Sequence, residues 1–161
     1  MENTMKKYIR LICLSLLLLL ISGTIHANDP KDMGGWEQGG TYDSHYDPKE
    51  REKIRCFVKE IKEIIPMPGM SPGVGIVMDE GDGETFMVHL CPTWYIDAKS
   101  TGLKRGEKVK VKGAWAEING EDVFMAAKIK KGDYFDLKVR LTKDGKPFWT
   151  MTPEELALEK Q

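Results

Sequence analysis

The sequence is short of the side chains that carry most protein chemistry. Its 161 residues include only three histidines and three cysteines. No nucleophile elbow, no His-Glu-x-x-His pair and no phosphate-binding loop occurs, so hydrolase, zinc-protease and nucleotide chemistry have no starting point. Carboxylate pairs such as Asp79-Glu80 fall in turn sequences, where solvation is the ordinary state. The expectation is a protein that is not an enzyme. Neither sign of charge dominates, with 24 Lys and Arg against 25 Asp and Glu. That balance argues for neither a polyanion nor a polycation as obligatory partner. No apolar run reaches the roughly 20 residues that a bilayer span needs.

The one apolar run, Leu11–Ile21, follows Lys6, Lys7 and Arg10 and leads through small and polar residues to Ala27. This is the pattern of an export signal cleaved after Ala27. An uncleaved anchor is the alternative. Cys13 lies inside the apolar run and not at a lipoprotein-type cleavage site, so no lipid anchor is expected. The mature chain is then periplasmic or extracellular, with no stable membrane span. His26 leaves with the signal. Two cysteines remain, Cys56 and Cys91. In an oxidising compartment they either form one disulfide or stay as separate thiols. A loop of this length would gain about 3–4 kcal/mol from the bond on the chain-entropy account.

What is present is strand signal. Residues 28–52 hold no period and read as a loosely ordered arm, with Trp36, Tyr42 and Tyr46 available to pack back on the body. From Lys53, Ile54, Cys56 and Val58 alternate with polar residues, and the apolar phase then slips to Ile61, Ile64 and Ile65. A bulge in a long strand produces such a slip, and β-branched residues favour strand over helix. Pro66, Pro68 and Pro72 end the run. A hairpin follows, with Val74, Ile76 and Met78 on one face, a turn at Gly81-Asp82-Gly83, and Phe86, Val88 and Leu90 on one face of the return. Met87, His89 and Cys91 are expected on the opposite face. Val109 and Val111 alternate with lysines, and Asn119-Gly120 turns the chain into a partner strand with Val123, Met125, Ala127 and Ile129 inward. A last strand carries Phe135, Leu137, Val139 and Leu141, and Asp144-Gly145 supplies a further turn. Residues 150–161 are a tail or a short helix capped by Thr152. The sum is an all-β chain, a small OB-like barrel of five to six strands over 53–149 with a C-terminal hairpin. A clear helix between the third and fourth strands is missing.

The segments "YDPKE", "PMPGMSPGVGIVM", "VHLCPTWYI", "GLKRGEKVKVKG" and "LTKDGKPFW" occur in that order. Together they resemble a family of small secreted bacterial OB-fold proteins marked by a His-Leu-Gly-Pro-x-Trp-Tyr segment. That family is related to magnetosome-associated domains and, more distantly, to periplasmic OB-fold stress-tolerance proteins. The resemblance covers about residues 34–149 and implies an OB fold. This chain departs from the pattern with Cys91 for Gly and Glu107 for Asp. It has no Cys-x-x-Cys-His, so the haem attachment of related multidomain proteins does not carry over.

Three readings of function follow. The first is a non-catalytic module binding an envelope protein or small ligand through Pro92, Trp94 and Tyr95 together with Met67 and Met70. The plain alternative for the Pro-x-Trp-Tyr corner is structural, with large rings closing one end of the barrel. The second is a metal- or redox-responsive module. His89 and Cys91 would stand on one outward face about 7 Å apart, with His45 as a third ligand if the arm folds over. No cofactor is required by the sequence, and the methionines read more simply as core filler than as copper ligands. The third is an oligoanion or single-stranded nucleic-acid surface made of Lys110, Lys112, Lys128, Lys130, Lys138 and Arg140, with Trp115, Phe124 and Tyr134 as stacking rings. Residues 99–143 carry twelve basic and six acidic groups, whereas 28–98 carry seven and fourteen. Alternating lysines also guard strand edges against aggregation, and nucleic acid is an improbable partner for an exported acidic protein.

Overall fold

A computed structural model describes residues 32–159. The export-signal assignment therefore lies outside the described residues. Six strands form one sheet: β1 (Arg51–Ile64), β2 (Gly73–Asp79), β3 (Thr85–Pro92), β4 (Lys108–Ile118), β5 (Glu121–Lys131) and β6 (Phe135–Lys138). One short helix, α1 (Pro153–Glu159), ends the described chain. The chain is all-β and OB-like. The hydrogen-bonded order is β3-β2-β1-β4-β5-β6, and β3 also pairs with β5 in parallel. That seam is only three residue pairs long, Met87↔Val123 to His89↔Met125, so the barrel is partly open. Between β3 and β4 there is no helix beyond a 3₁₀ turn at Ala98–Thr101.

Bulges decide which side chains look inward. In β1 the register slips between Val58 and Glu60, which returns Ile61 to the face opposite Ile76. This is the phase slip visible in the sequence. Ile54, Cys56 and Val58 share that inner face with Val109 and Val111, and all five are buried. A second slip, between Val74 and Gly75, leaves Leu90 as the extra residue of β3. Cys91 therefore pairs with Val74, an inner position, while His89 pairs with Gly75 on the outer face. A third slip sits at Gly113, which pairs with Ala126 after Lys112 has paired with Lys128. A Cβ on Gly113 would lie 2.1 Å from the Met125 carbonyl oxygen, so only glycine admits this approach. The slip at Ala127 breaks the expected alternation in β5. Phe124, paired with Trp115 and beside Val88, takes the inner face, and Val123 and Met125 take the outer one. All remain buried because the sheet is covered on that side too.

The cover is the N-terminal arm. Trp36 and Tyr42 are 1% and 2% exposed, and Tyr46 is buried with them. Trp36 lies so close over Gly73 that a Cβ there would be 2.3 Å from its ring. Its indole N–H donates to the Ser71 carbonyl, and Trp149 Nε1 donates to the Trp36 carbonyl, at 3.0 and 2.9 Å. The arm thus joins the β1–β2 loop to the C-terminal hairpin, where Arg140 bridges Pro147. Asn119 and Gly120 both have positive φ, 56° and 80°, as a two-residue hairpin turn between right-twisted strands requires. At α1, Thr152 Oγ1 accepts from the Glu155 N–H, and the Glu155 carboxylate accepts from the Thr152 N–H. This is the reciprocal cap that Thr-x-x-Glu encodes.

Candidate functional site

Four places gather polar or exposed apolar groups. The first is the seam between the arm and the β1–β2 loop. Met67 and Met70 line an open groove of about 510 Å³ with Gly35, Glu37, Thr41 and Tyr42. Trp94 has 45% of its surface exposed. Its neighbour Thr93 is tied to the Pro72 carbonyl through both its N–H, at 3.0 Å, and its hydroxyl, at 3.1 Å. Not all of the corner is available. Pro92 is buried, and Tyr95 packs half-buried against Trp149 with ring centres 5.8 Å apart. Of the residues in the first reading, Trp94 is thus the exposed one, while Met67, Met70 and Tyr95 are half-buried and pack against the core.

The second place is interior. Arg140, expected outward on the lysine face, is 3% exposed. It ion-pairs with Asp43 and donates to the Gly145 carbonyl at 2.9 Å. Its guanidinium lies 4.8 Å from the Trp149 ring centre, with Tyr42 and Tyr46 near 6 Å. The period-2 pattern failed here because Val139 and Arg140 both donate to the Ala127 carbonyl, so regular pairing of β6 stops at Lys138.

His89 lies beneath the same cover. Its Nδ1 is 3.3 Å from the Tyr42 hydroxyl. Burial, followed by the positive Arg140, pulls its pKa down to about 4, so the ring is neutral at pH 7. Burial also raises the Tyr42 phenol above its ordinary value and keeps it protonated. Cys91, placed inward by the bulge, has its thiol pushed up to about 12 by burial and is an unreactive neutral group. The expected outward His89–Cys91 pair does not exist. His45 is half-buried, and among the described residues no group of three His, Cys, Asp or Glu is arranged to hold a metal ion.

Cys56 and Cys91 are free, not bonded. Cys56 faces Val109 across β1 and β4, and its Sγ is 3.1 Å from Met78 Sδ. Cys91 pairs with Val74, which in turn pairs with Glu63 at the far end of β1. Along a strand, the separation from Cys56 to Glu63 is about 20 Å, far beyond disulfide reach.

The third place is the lysine side. Lys128 pairs with Asp136 at 2.8 Å, and Lys130 lies 3.9 Å from the same carboxylate. Lys110 and Lys112 are half-buried. Lys128, Lys138 and Lys143 border a shallow cavity of about 270 Å³. The three rings assigned to this face do not assemble. Phe124 is fully buried, Tyr134 is fully exposed in the β5–β6 turn, and Trp115 looks into the barrel mouth.

That mouth is the fourth place, and sequence reading missed it. Phe86 and Trp115 stand with ring centres 5.4 Å apart over the buried Phe124. Trp115 Nε1 donates to Glu52 at 2.8 Å. Phe86 was legible as an inner-face residue. What was not legible is that the third bulge turns Trp115 toward it at an open end.

Comparison with known proteins adds the following. The family model described as the MamS/MamX magnetosome protein family matches residues 50–135, from the turn before β1 to the start of β6. No curated protein matches the chain. Among solved structures, the protein PriB from Ralstonia solanacearum is similar at 12% identity and a TM-score of 0.40, over 52% of this chain and 98% of that one.

Proposed function

Because the chain belongs to the MamS/MamX magnetosome protein family, we propose that it is a non-catalytic, exported interaction module working among magnetosome-associated proteins. Its relatives by motif are the small secreted OB-fold proteins with the His-Leu-Gly-Pro-x-Trp-Tyr segment. The observation that carries the reading is the pair of half-buried methionines that line the open groove at the arm–loop seam. Met67 and Met70 are unbranched and adaptable, and the exposed Trp94 follows Thr93, which is tied to the β1–β2 loop at Pro72. Methionine and tryptophan are the side chains enriched at the centres of protein interfaces. The backbone beneath them is held by Thr93, Ser71 and Trp36, so the surface is presented without an ordering cost to its scaffold. An envelope protein with an apolar anchor residue is the partner class that fits.

Crosslinking in envelope extract, with the parent compared against a Met67→Ser, Met70→Ser, Trp94→Ala variant, tests the reading. The expected result is a discrete partner band lost in the variant while its thermal melt stays unchanged. An identical set of crosslinks from both proteins overturns it. The metal-responsive reading through His89 and Cys91 has no supporting geometry, because their side chains occupy opposite faces of β3 and both are covered.

A further inference from the structure

The geometry points to a second binding site, at the barrel mouth, that takes a lysine- or arginine-rich peptide segment. The cleft has an aromatic floor and an acidic rim. Phe86 and Trp115 form the floor, both half-buried and both lining the cavities. The main cavity measures about 600 Å³ and is bordered by Glu50, Glu121 and Asp122. A smaller one of about 170 Å³ continues from the same two rings and is bordered by Glu80, Asp82 and Glu84. Six carboxylates thus surround two rings, and no basic side chain lines either cavity.

Three features commit the cleft to a cation carried on an extended chain. First, none of the six carboxylates is ion-paired among the described residues, although seven ion-pair contacts are made elsewhere among them. Asp79, the carboxylate next to the turn, is paired with Lys59, so the nearby lysine is already engaged. Second, the rings are of the kind that attract cations. An indole is the best aromatic acceptor for a guanidinium or ammonium, and the Glu52 carboxylate that holds Trp115 Nε1 adds negative charge at its edge. Third, the acids are spread around the rings and form no compact ligand set. No group of three acidic, His or Cys side chains among the described residues is arranged to hold a metal ion. A divalent cation would find no cage, whereas a peptide can place one side chain over Trp115 and spread its other charges along the rim. The β2–β3 side of the molecule, with its acidic turn at Glu80–Glu84, lies in the acidic half of the sequence, which adds longer-range steering.

Titration calorimetry with an end-blocked, alternating Lys/Arg octapeptide at low ionic strength tests the site. Parallel runs use the glutamate version of the peptide and calcium chloride alone. The expected result is saturable one-to-one binding of the basic peptide only, falling steeply with added salt. A Glu84→Gln, Glu121→Gln, Asp122→Asn variant changes exposed side chains only and should bind about tenfold more weakly. Trp115→Phe should weaken binding about threefold at unchanged salt dependence. Absence of binding by the parent, equal binding by the triple variant, or displacement of the peptide by calcium would each overturn the assignment.

Discussion

Removing the charge of Asp43 should unseat the arm. The Arg140 side chain is 2% exposed and its partner Asp43 13%. A buried guanidinium that loses its counter-ion costs about 3–5 kcal/mol, because desolvation is no longer offset. Asn at position 43 keeps a carbonyl to accept one hydrogen bond, and Gly145 still accepts another. The lower end, about 3 kcal/mol, is therefore expected for Asp43→Asn. With a urea slope of about 2 kcal/mol per molar for a domain of this size, the unfolding midpoint should fall by about 1.5 M. Trp36 and Trp149 report the transition, since both are buried in the same cluster. The decisive comparison is the double variant Asp43→Asn, Arg140→Met. If the cost is an uncompensated charge, deleting the charge as well recovers about 1 kcal/mol or more relative to Asp43→Asn alone. A midpoint shift below about 0.3 M for Asp43→Asn, or a double variant as unstable as the two single changes summed, would refute the reasoning.

Other outcomes follow from the same packing. His89 has its pKa lowered to about 4 in the folded chain by burial and Arg140, against 6.5 for the free side chain. The unfolded state therefore binds the proton more tightly, and the stability held above pH 6.5 should drain away as pH falls toward 4, by up to about 3 kcal/mol. Chemical denaturation at pH 7 and pH 4.5 should show this loss in the parent and much less of it in His89→Gln; parallel pH curves would exclude His89 as the cause. Both thiols are covered and held near 12, so Cys56 and Cys91 should resist iodoacetamide under native conditions and both label in urea, as intact mass would show. Rapid native labelling of either would contradict the burial. Gly73→Ala should push Trp36 off β2 and red-shift tryptophan emission, with a loss of about 2 kcal/mol or more from overpacking. An unshifted spectrum would mean that the arm packs differently. An oligothymidylate should show no binding at low ionic strength, and salt-sensitive binding would revive the lysine face.

The strands were legible because their alternation is strong. Val74, Ile76 and Met78 and the Val109–Val111 pair sit on the inner face as the period demands, and the phase slip after Val58 announced its own bulge. The other two bulges were silent. Nothing around Leu90 or Ala127 breaks the apolar pattern, because residues on either face of β3 and β5 end up buried. A one-residue slip there moves every later side chain to the other face. That slip carried Cys91 inward, away from His89, and Phe124 inward, away from the lysines. Arg140 was misplaced for a related reason, as alternation was extended past the point where β6 stops pairing. The cleft at Phe86 and Trp115 joins residues from four separate stretches of the chain, and only tertiary closure brings them together.

The position of the arm narrows what this barrel can bind. OB-type barrels commonly receive single strands on the face of strands two and three, between the loops that follow strands one and four. Here the corresponding loops meet, with Asn119 Nδ2 donating to the Pro66 carbonyl at 3.1 Å. On the strand face itself, Trp36 lies on Gly73 and Tyr42 stacks on His89 with ring centres 6.0 Å apart and planes inclined by 27°. Both rings are locked by hydrogen bonds and by the Arg140 cluster, so a ligand would have to displace a buried aromatic layer to reach the sheet. The cost of exposing Trp36 and Tyr42 alone is several kcal/mol by area, more than the roughly 1–3 kcal/mol that stacking one base returns. The strand face is thereby closed to a ligand, and the two proposed sites lie off it, at the methionine-lined seam and at the acidic mouth.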